Sequence, residues 1–521
     1  MSSDQQTVVV IGAGMGGLAA AIRLAAAGLS VTLVEAAATP GGKMRCVPSA
    51  AGPVDAGPTV LTMRHHFDEL FALGGDRLDD HVTLLAQPIL ARHWWPDGSR
   101  LDLFADQDRT FAAIEAFAGP REAQAFRRFD RASGALFRSF DAPMMQAARP
   151  DLAAIARNAL RQPRLWPALM PGMTLSRYLR LQFRDPRLVQ LFARYATYVG
   201  GRPDRSPAVL SLIWRAEAAG VWAVQGGMHR LATAMAALAE RLGVTSLYAT
   251  KATRIVQCNG TVSGVQIEGG RTLPCTACVF NGDPRALAEG LLGEDPCTAV
   301  AAKATVPRSL SAWVWSFAAT PGGVLSRDLI HHNVVFSGNP KAEFGPIGRG
   351  EMPQDPTLYI CAEDRATDLA PPPLERFEII VNGPAAHPAT PQEYALCTTR
   401  TFDPLRRIGL GFSPTPAQTA LTTPSMLGQL FPGSQGAIYG RSPEGLLAAF
   451  QRPQARTALP GLYLAGGGAH PGAGVPMAAL SGRHAAEAIL SGQISASRSR
   501  PMATPGGMST GSHTTGRARS L

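Results

Sequence analysis

Gly12-Ala13-Gly14-Met15-Gly16-Gly17 sets glycines at the G-x-G-x-x-G spacing near the start of a 521-residue chain. Glycines so spaced allow a tight turn and let a pyrophosphate approach bare backbone. Gly12 would make the turn, Gly14 would admit the pyrophosphate, and Gly17 would let a helix pack close to a strand. Glu35, 18 residues past Gly17, is placed to accept hydrogen bonds from ribose hydroxyls, which argues against a 2′-phosphorylated ligand. A glycine triplet alone reads as an ordinary turn, so the flanking pattern must decide. Thr7-Val8-Val9-Val10-Ile11 is a β-branched run suited to a buried parallel strand. Leu18 to Ala27 is Ala-rich and helical, Gly28 ends it, and Val31 to Val34 is a second strand. The complete strand–turn–helix–strand unit predicts a dinucleotide site whose phosphates face a helix N-terminus. It does not separate NAD from FAD.

Two further glycine-rich stretches carry the same kind of chemistry. Pro40-Gly41-Gly42-Lys43-Met44-Arg45 puts two cations beside a Gly-Gly turn, which suits a second wall of an anion site. At the far end, Gly461-Leu462-Tyr463-Leu464-Ala465-Gly466-Gly467-Gly468 reads as a buried strand running into a glycine loop. Ala469-His470-Pro471-Gly472-Ala473-Gly474-Val475-Pro476-Met477 follows, then a helix over about 478–490. His470 there is either catalytic or a structural residue at a loop–helix junction, and the structural reading is favoured. Half-sites at opposite ends of the chain predict a discontinuous cofactor domain.

These motifs, with Asp55-Ala56-Gly57-Pro58-Thr59, resemble the flavin-dependent amine oxidase and phytoene desaturase superfamily. The resemblance implies non-covalent FAD, with Gly42 and Lys43 along its diphosphate and Pro58 and Thr59 close to the flavin. It also implies that Gly466, Gly472, Gly474 and Val475 close around the flavin and ribityl chain. Asn281-Gly282-Asp283-Pro284, after strands at 253–256, 262–267 and 277–280, is similar to the superfamily's middle segment, and Gly226 to Leu242 to its preceding helix. Asp55 to Thr62, Ala196-Thr197-Tyr198-Val199-Gly200-Gly201 and Gly220 to Gly227 narrow the resemblance to bacterial carotenoid desaturases. Ile89 to Gly98 and Val475 to His484, with Met477 where phytoene desaturases usually carry Gly, resemble the branch that desaturates 1-hydroxycarotenoids at C-3,4.

The fold class expected is therefore α/β: a discontinuous Rossmann-like FAD-binding domain (1–100, 220–300, 450–492) with an α+β substrate domain (101–219, 301–449). The polar stretch 493–521 is expected to be disordered. The activity implied is hydride transfer from an acyclic hydroxylated carotenoid to FAD, with phytoene desaturase as the alternative. An amine oxidase-like oxidoreductase and a saturase running the reverse reaction follow behind. The implied electron acceptor is a lipid-soluble quinone or O2, at the cytoplasmic side of a bacterial inner membrane. No catalytic residue is assigned. His93, Trp94 and Trp95 read either as partners for the substrate hydroxyl or as a packed aromatic turn.

Composition excludes other classes. Hydrophobic residues make up 45% and charged residues 17%, which is globular rather than fibrous or disordered. The net charge of +10 is carried almost wholly by arginine, with lysine at 43, 251, 303 and 341 alone. No zinc-finger or RNP-like pattern accompanies it, so no nucleic-acid role is expected. The seven cysteines are odd in number and scattered; Cys275 and Cys278 form a single CxxC in an apolar run, so core packing is expected and metal is not. Met1 to Thr7 lacks the basic region of a secretory leader. The uncharged stretches 408–440 and 457–482 are too rich in Pro, Gly and polar residues to span a membrane. Eight arginines from Arg149 to Arg187 stand against Asp151 and Asp185, interleaved with Leu, Trp, Met and Tyr. That pattern is expected either to dock on anionic lipid or to form a solvated face over an ordinary core.

Overall fold

The computed structural model describes residues 6–445 and 447–498. Strand β1 (Thr7–Ile11), helix α1 (Met15–Ala26) and strand β2 (Ser30–Val34) form the amino-terminal unit. β1 is the central strand of a five-stranded parallel sheet, ordered Leu462–Leu464, Ala277–Phe280, β1, β2, Thr245–Leu247. Val10 is opposite Leu33 on one side and Val279 on the other, so both edges of β1 are paired. Its side chains are buried on both faces, as the unbroken Val-Val-Val-Ile run requires. Strands are added first on the β2 side of β1 and later on its other side, so the carboxyl ends of β1 and Ala277–Phe280 form a switch-point crevice. The strands at 252–258 and 261–267 do not join this sheet; with Thr272–Pro274 they make a separate antiparallel one.

The second large sheet is mixed. Its main path runs Gly411–Ser413, Ser311–Gly322, Glu375–Gly383, Leu358–Ala362, His332–Val335, Ile89–Trp94, Arg100–Phe104, with Leu421–Thr422 paired to Ser311–Gly322. Ile89–Trp94 enters it in parallel beside His332–Val335, with Asn333 opposite Arg92. A boundary at residue 100 would therefore cut a hairpin, and residues 89–100 sit in this sheet rather than in the dinucleotide-binding one. The reason is burial: Leu90, Trp94, Leu101 and Leu103 face cores of the second sheet and its helical layer.

That helical layer is made from residues 107–218, packed around Phe126, Phe129, Phe183, Phe192 and Trp214. Phe183 stacks on Phe192 at 5.2 Å, and Trp214 meets Phe192 edge-on at 5.6 Å. His93 and Trp95 belong to the same packing: His93 is fully buried and stacks on Phe336, and Trp95 Nε1 donates to Gln190 Oε1. The aromatic-turn reading of Ile89 to Gly98 is the one the structure supports. The last helix runs Val475–Arg498, longer at both ends than the expected 478–490, so the tail expected from 493 begins helical. The remainder of that tail, 499–521, lies outside the described residues. Cys275 and Cys278 are buried in core, where burial raises both thiols. Among the described residues no helix is long and apolar enough to cross a membrane.

Candidate active site

The glycine turn sits at the switch point because three chain segments converge there backbone to backbone, with Asn281 the side chain that reaches in among them. A Cβ on Gly17 would stand 2.0 Å from the Gly12 carbonyl oxygen, and one on Gly16 would stand 2.5 Å from the Gly466 nitrogen. The last helix reaches equally close: a Cβ on Gly482 would lie 2.2 Å from the Gly16 oxygen. Asn281, following the middle strand, donates from Nδ2 to the Gly12 carbonyl at 3.1 Å and locks the turn. Its Oδ1 is buried without a partner, close to Gly16 and Gly466.

Glu35 hangs over this turn. Its Oε2 accepts from the Ala13 amide at 2.6 Å and its Oε1 from the Ala37 amide at 2.8 Å. A carboxylate oxygen has more than one acceptor position, so the pair keeps capacity for ribose hydroxyls. Gly41 donates to the Ala13 carbonyl at 2.9 Å, which seats the Gly41-Gly42 turn against the first wall. Both glycines have positive φ, +115° and +58°, and a Cβ on Gly42 would come within 3.2 Å of Gly14 Cα. The cradle must be glycine on both walls.

One cavity of about 990 Å³ runs from this cradle into the interior. Gly12, Gly14, Glu35, Gly42, Lys43, Pro58 and Thr59 line it from the amino-terminal side. Gly466, Gly472, Gly474, Val475 and Met477 line it from the other end of the chain. Gly17 does not line it; it serves the close packing of α1 against the turn. The two cations beside the Gly-Gly turn line the cavity and also tie it to a distant segment. Lys43 Nζ donates to the Ile438 carbonyl at 2.8 Å, and burial lowers its pKa to about 8, with Asp283 pulling the other way. Arg45 Nη2 donates to Thr422 Oγ1 at 2.7 Å. Both tie the cradle to the chain segment 422–438 rather than standing as free charges.

Sequence reasoning passed over several residues of this site. Asn281 stood inside a quoted motif, but its side chain carried no local signal of its contact with Gly12. Asp283 Oδ1 caps the short helix after it by accepting from the Arg285 amide at 3.0 Å, and its Oδ2 accepts from Arg308 at 2.5 Å. Deeper in, the cavity is lined by Phe137, Met144, Leu210 and Ile213, with a polar group of Arg194, Tyr198 and Glu217 among them. Residues scattered over eighty positions offer no spacing to read. His470, 1% exposed, interacts through Nε2 with the Ala147 carbonyl at 2.9 Å and stacks on His484. Its role is to hold the segment Asp141–Gln146, which carries Met144 into the cavity, and so it is structural.

The fit to a flavin nucleotide rests on these features together. The α1 opening turn has amides without intrahelical partners, next to a cradle any Cβ would fill and a carboxylate poised for ribose hydroxyls. A model of the flavin containing amine oxidoreductase family matches residues 15–318. The chain is 62% identical over 491 residues to hydroxyneurosporene desaturase of Cereibacter sphaeroides, covering 94% of this chain and 99% of that protein. Against hydroxyneurosporene desaturase of Rhodobacter capsulatus it is 59% identical, covering 95% and 100%. Among solved structures, an oxidoreductase from Methanosarcina mazei matches at TM-score 0.58 and 16% identity, covering 93% of this chain and 100% of that one. That likeness speaks for the fold, while the sequence matches speak for the lineage. Taken with the cradle and cavity, they establish that the chain belongs to the flavin-containing amine oxidoreductase family, among its carotenoid desaturases, and is an oxidoreductase that uses a flavin.

Proposed function

We propose that the chain is an FAD-dependent 3,4-desaturase of acyclic 1-hydroxycarotenoids. The observation that carries the reading is a cavity of about 990 Å³ that joins the dinucleotide cradle to an apolar interior. Converting an allylic C–C single bond to a double bond removes a hydride equivalent from one carbon and a proton from its neighbour. The flavin, when bound, supplies the two-electron acceptor that no side chain provides. The chain's own contribution is placement and dryness. Glu35, the glycine cradle and Asn281 hold the nucleotide half, while Phe137, Met144, Leu210 and Ile213 exclude water from the carbon skeleton. Relatives at 59% and 62% identity carry the name hydroxyneurosporene desaturase, which favours this branch over phytoene desaturase.

Denatured protein should release FAD into the supernatant, and the holoenzyme should convert a 1-hydroxycarotenoid in lipid vesicles to its 3,4-dehydro product, seen as a red-shifted absorption. Multi-step conversion of phytoene with no action on hydroxylated substrates would place the enzyme in the other branch. Colourless protein that takes up no FAD would sink the cofactor.

A substrate that lives in lipid calls for a docking face, and the arginine-rich segment supports one. Helix Leu152–Arg161 has no buried residue, and Leu152, Leu160, Trp166, Met170 and Leu181 stand 51–72% exposed. Leu165, Met173, Leu175, Tyr178, Leu179 and Phe183 of the same stretch are buried, so only part of its apolar content is available. The helix packs on segment Asp141–Gln146, whose Met144 and Met145 line the cavity. We propose that this face rests on the anionic cytoplasmic surface of a bacterial inner membrane, where a quinone, or dissolved O2, takes the electrons. Replacing Arg157, Arg161, Arg164 and Arg177 by Glu should leave flavin content intact and lower partitioning onto anionic vesicles at least about tenfold. Unchanged sedimentation with vesicles would refute the docking role.

A further inference from the structure

We infer that Glu217 and Tyr198 form the recognition site for the substrate's terminal hydroxyl, and that this contact selects alcohols over hydrocarbons and sets which bond is desaturated. The inference rests on the proposed reading and adds to it the residues that read the substrate's one polar group.

Glu217 is 3% exposed and Arg194 7% exposed, both in the wall of an otherwise apolar stretch of the cavity. Glu217 Oε1 is fully engaged, accepting from Arg194 Nη2 at 2.8 Å and from the Tyr195 hydroxyl at 3.0 Å. Glu217 Oε2 is buried and has no partner. A buried carboxylate oxygen without a donor is costly, and in a cavity wall it offers an acceptor that a ligand hydroxyl can complete. Tyr198 supplies the other half. Its hydroxyl oxygen accepts from Arg194 Nη1, and its own proton lies towards the Glu217 carboxylate, where an alcohol inserting between the two would receive it. Burial, ahead of the opposing charges of Arg194 and Glu217, raises this phenol above its ordinary range, so it keeps that proton.

An alcohol both donates and accepts. Its proton would go to Glu217 Oε2 and its lone pair to the Tyr198 O–H, satisfying both wall groups at once. Arg194 already neutralises Glu217, so the pair offers no net charge to attract an ammonium group, which sets this site apart from one built for amines. The position also fits the chemistry. A hydroxyl on C1 lies about 3–5 Å from C3 and C4 along the chain, so its anchor must border the reacting bond. Tyr198 is within electrostatic reach of Tyr359, and Tyr359 accepts from Thr59 Oγ1 at 2.7 Å. Thr59 belongs to the loop for which a position beside the flavin is expected. His332 Nδ1 lies 2.6 Å from the Tyr359 hydroxyl and completes its pairing, so Tyr359 is a support and the contact with the alcohol falls to Glu217 and Tyr198.

The test uses holoenzyme and three vesicle-borne substrates of one chain length: the 1-hydroxycarotenoid, its 1-methyl ether and the corresponding hydrocarbon. Binding is followed by quenching of tryptophan fluorescence, and turnover by absorption. Wild type should favour the alcohol over the ether and the hydrocarbon by about tenfold or more in kcat/KM and in Kd, because neither competitor can donate to Glu217 Oε2. Tyr198→Phe and Glu217→Gln should each cut that preference about tenfold. Should Glu217→Gln lose flavin, Tyr198→Phe decides, since it keeps the ring and removes a single hydroxyl. Equal affinity of wild type for alcohol and hydrocarbon, or a preference unmoved in Tyr198→Phe, would overturn the inference while leaving desaturation standing. Absence of turnover on all three substrates would instead count against the proposed activity, with the binding ratios still judging the site.

Discussion

Gly17→Ala is expected to yield protein without flavin and with markedly lower stability. The added methyl would stand 2.0 Å from the Gly12 carbonyl oxygen, far inside contact distance. That oxygen cannot step aside cheaply, because it accepts from Asn281 Nδ2 at 3.1 Å and belongs to the turn that forms the cradle. Helix α1 would have to move away from β1, and it is itself pinned by the last helix, where a Cβ on Gly482 would meet the Gly16 oxygen at 2.2 Å. Overpacking of side chains costs about 1–3 kcal/mol, and a clash against backbone held from both sides belongs at the top of that range or above. Gly492→Ala is the control. Gly492 lies in the last helix with nothing within 4 Å of a built Cβ, so alanine should be neutral or gain up to about 1 kcal/mol. The measurements are flavin absorbance of purified protein and the urea unfolding midpoint. Full flavin occupancy in Gly17→Ala would mean that the helix is freer to shift than its packing indicates.

Arg308→Met should cost about 3–5 kcal/mol, the range for removing one partner of a buried ion pair. Arg308 and Asp283 side chains are 8% and 5% exposed and meet at 2.5 Å. The same guanidinium donates to the Ser434 and Thr305 carbonyls, so it joins the end of the middle cofactor segment to two pieces of the other half of the chain. Without it, Asp283 is left buried beside the cavity with no ion-pair partner, and only the more distant fields of Lys43 and Arg452 reach it. Adding Asp283→Asn should restore part of the loss, because the stranded charge is then gone. Denaturant unfolding with saturating flavin separates this from a simple loss of cofactor. A cost below about 1 kcal/mol, or a double variant no more stable than the single, would show that solvent reaches the pair.

Much of the cofactor half is legible from the chain because its signals are local. A β-branched run, a glycine turn and an Ala-rich helix within 30 residues constrain one another, and an acidic residue at the end of β2 follows from the same geometry. The glycines report backbone conformation and close approach, properties each position carries whatever its distant partners. What the chain could not display is which distant strands lie beside β1. Ala277–Phe280 pairs with β1, and Leu462–Leu464 with Ala277–Phe280, because β1 needs both faces and both edges buried at once. The same cause put residues 89–100 in the second sheet, where their apolar side chains find a core, and gave Lys43 and Arg45 partners in segment 422–438 that no local pattern announces. Arg194, Tyr198 and Glu217 carry no pattern at all; they become a site when a short helix and a 3-10 turn bring them to one wall of an apolar cavity. There, a carboxylate oxygen without a protein partner gains its meaning from its burial in an apolar wall, and that is a property of the tertiary structure alone.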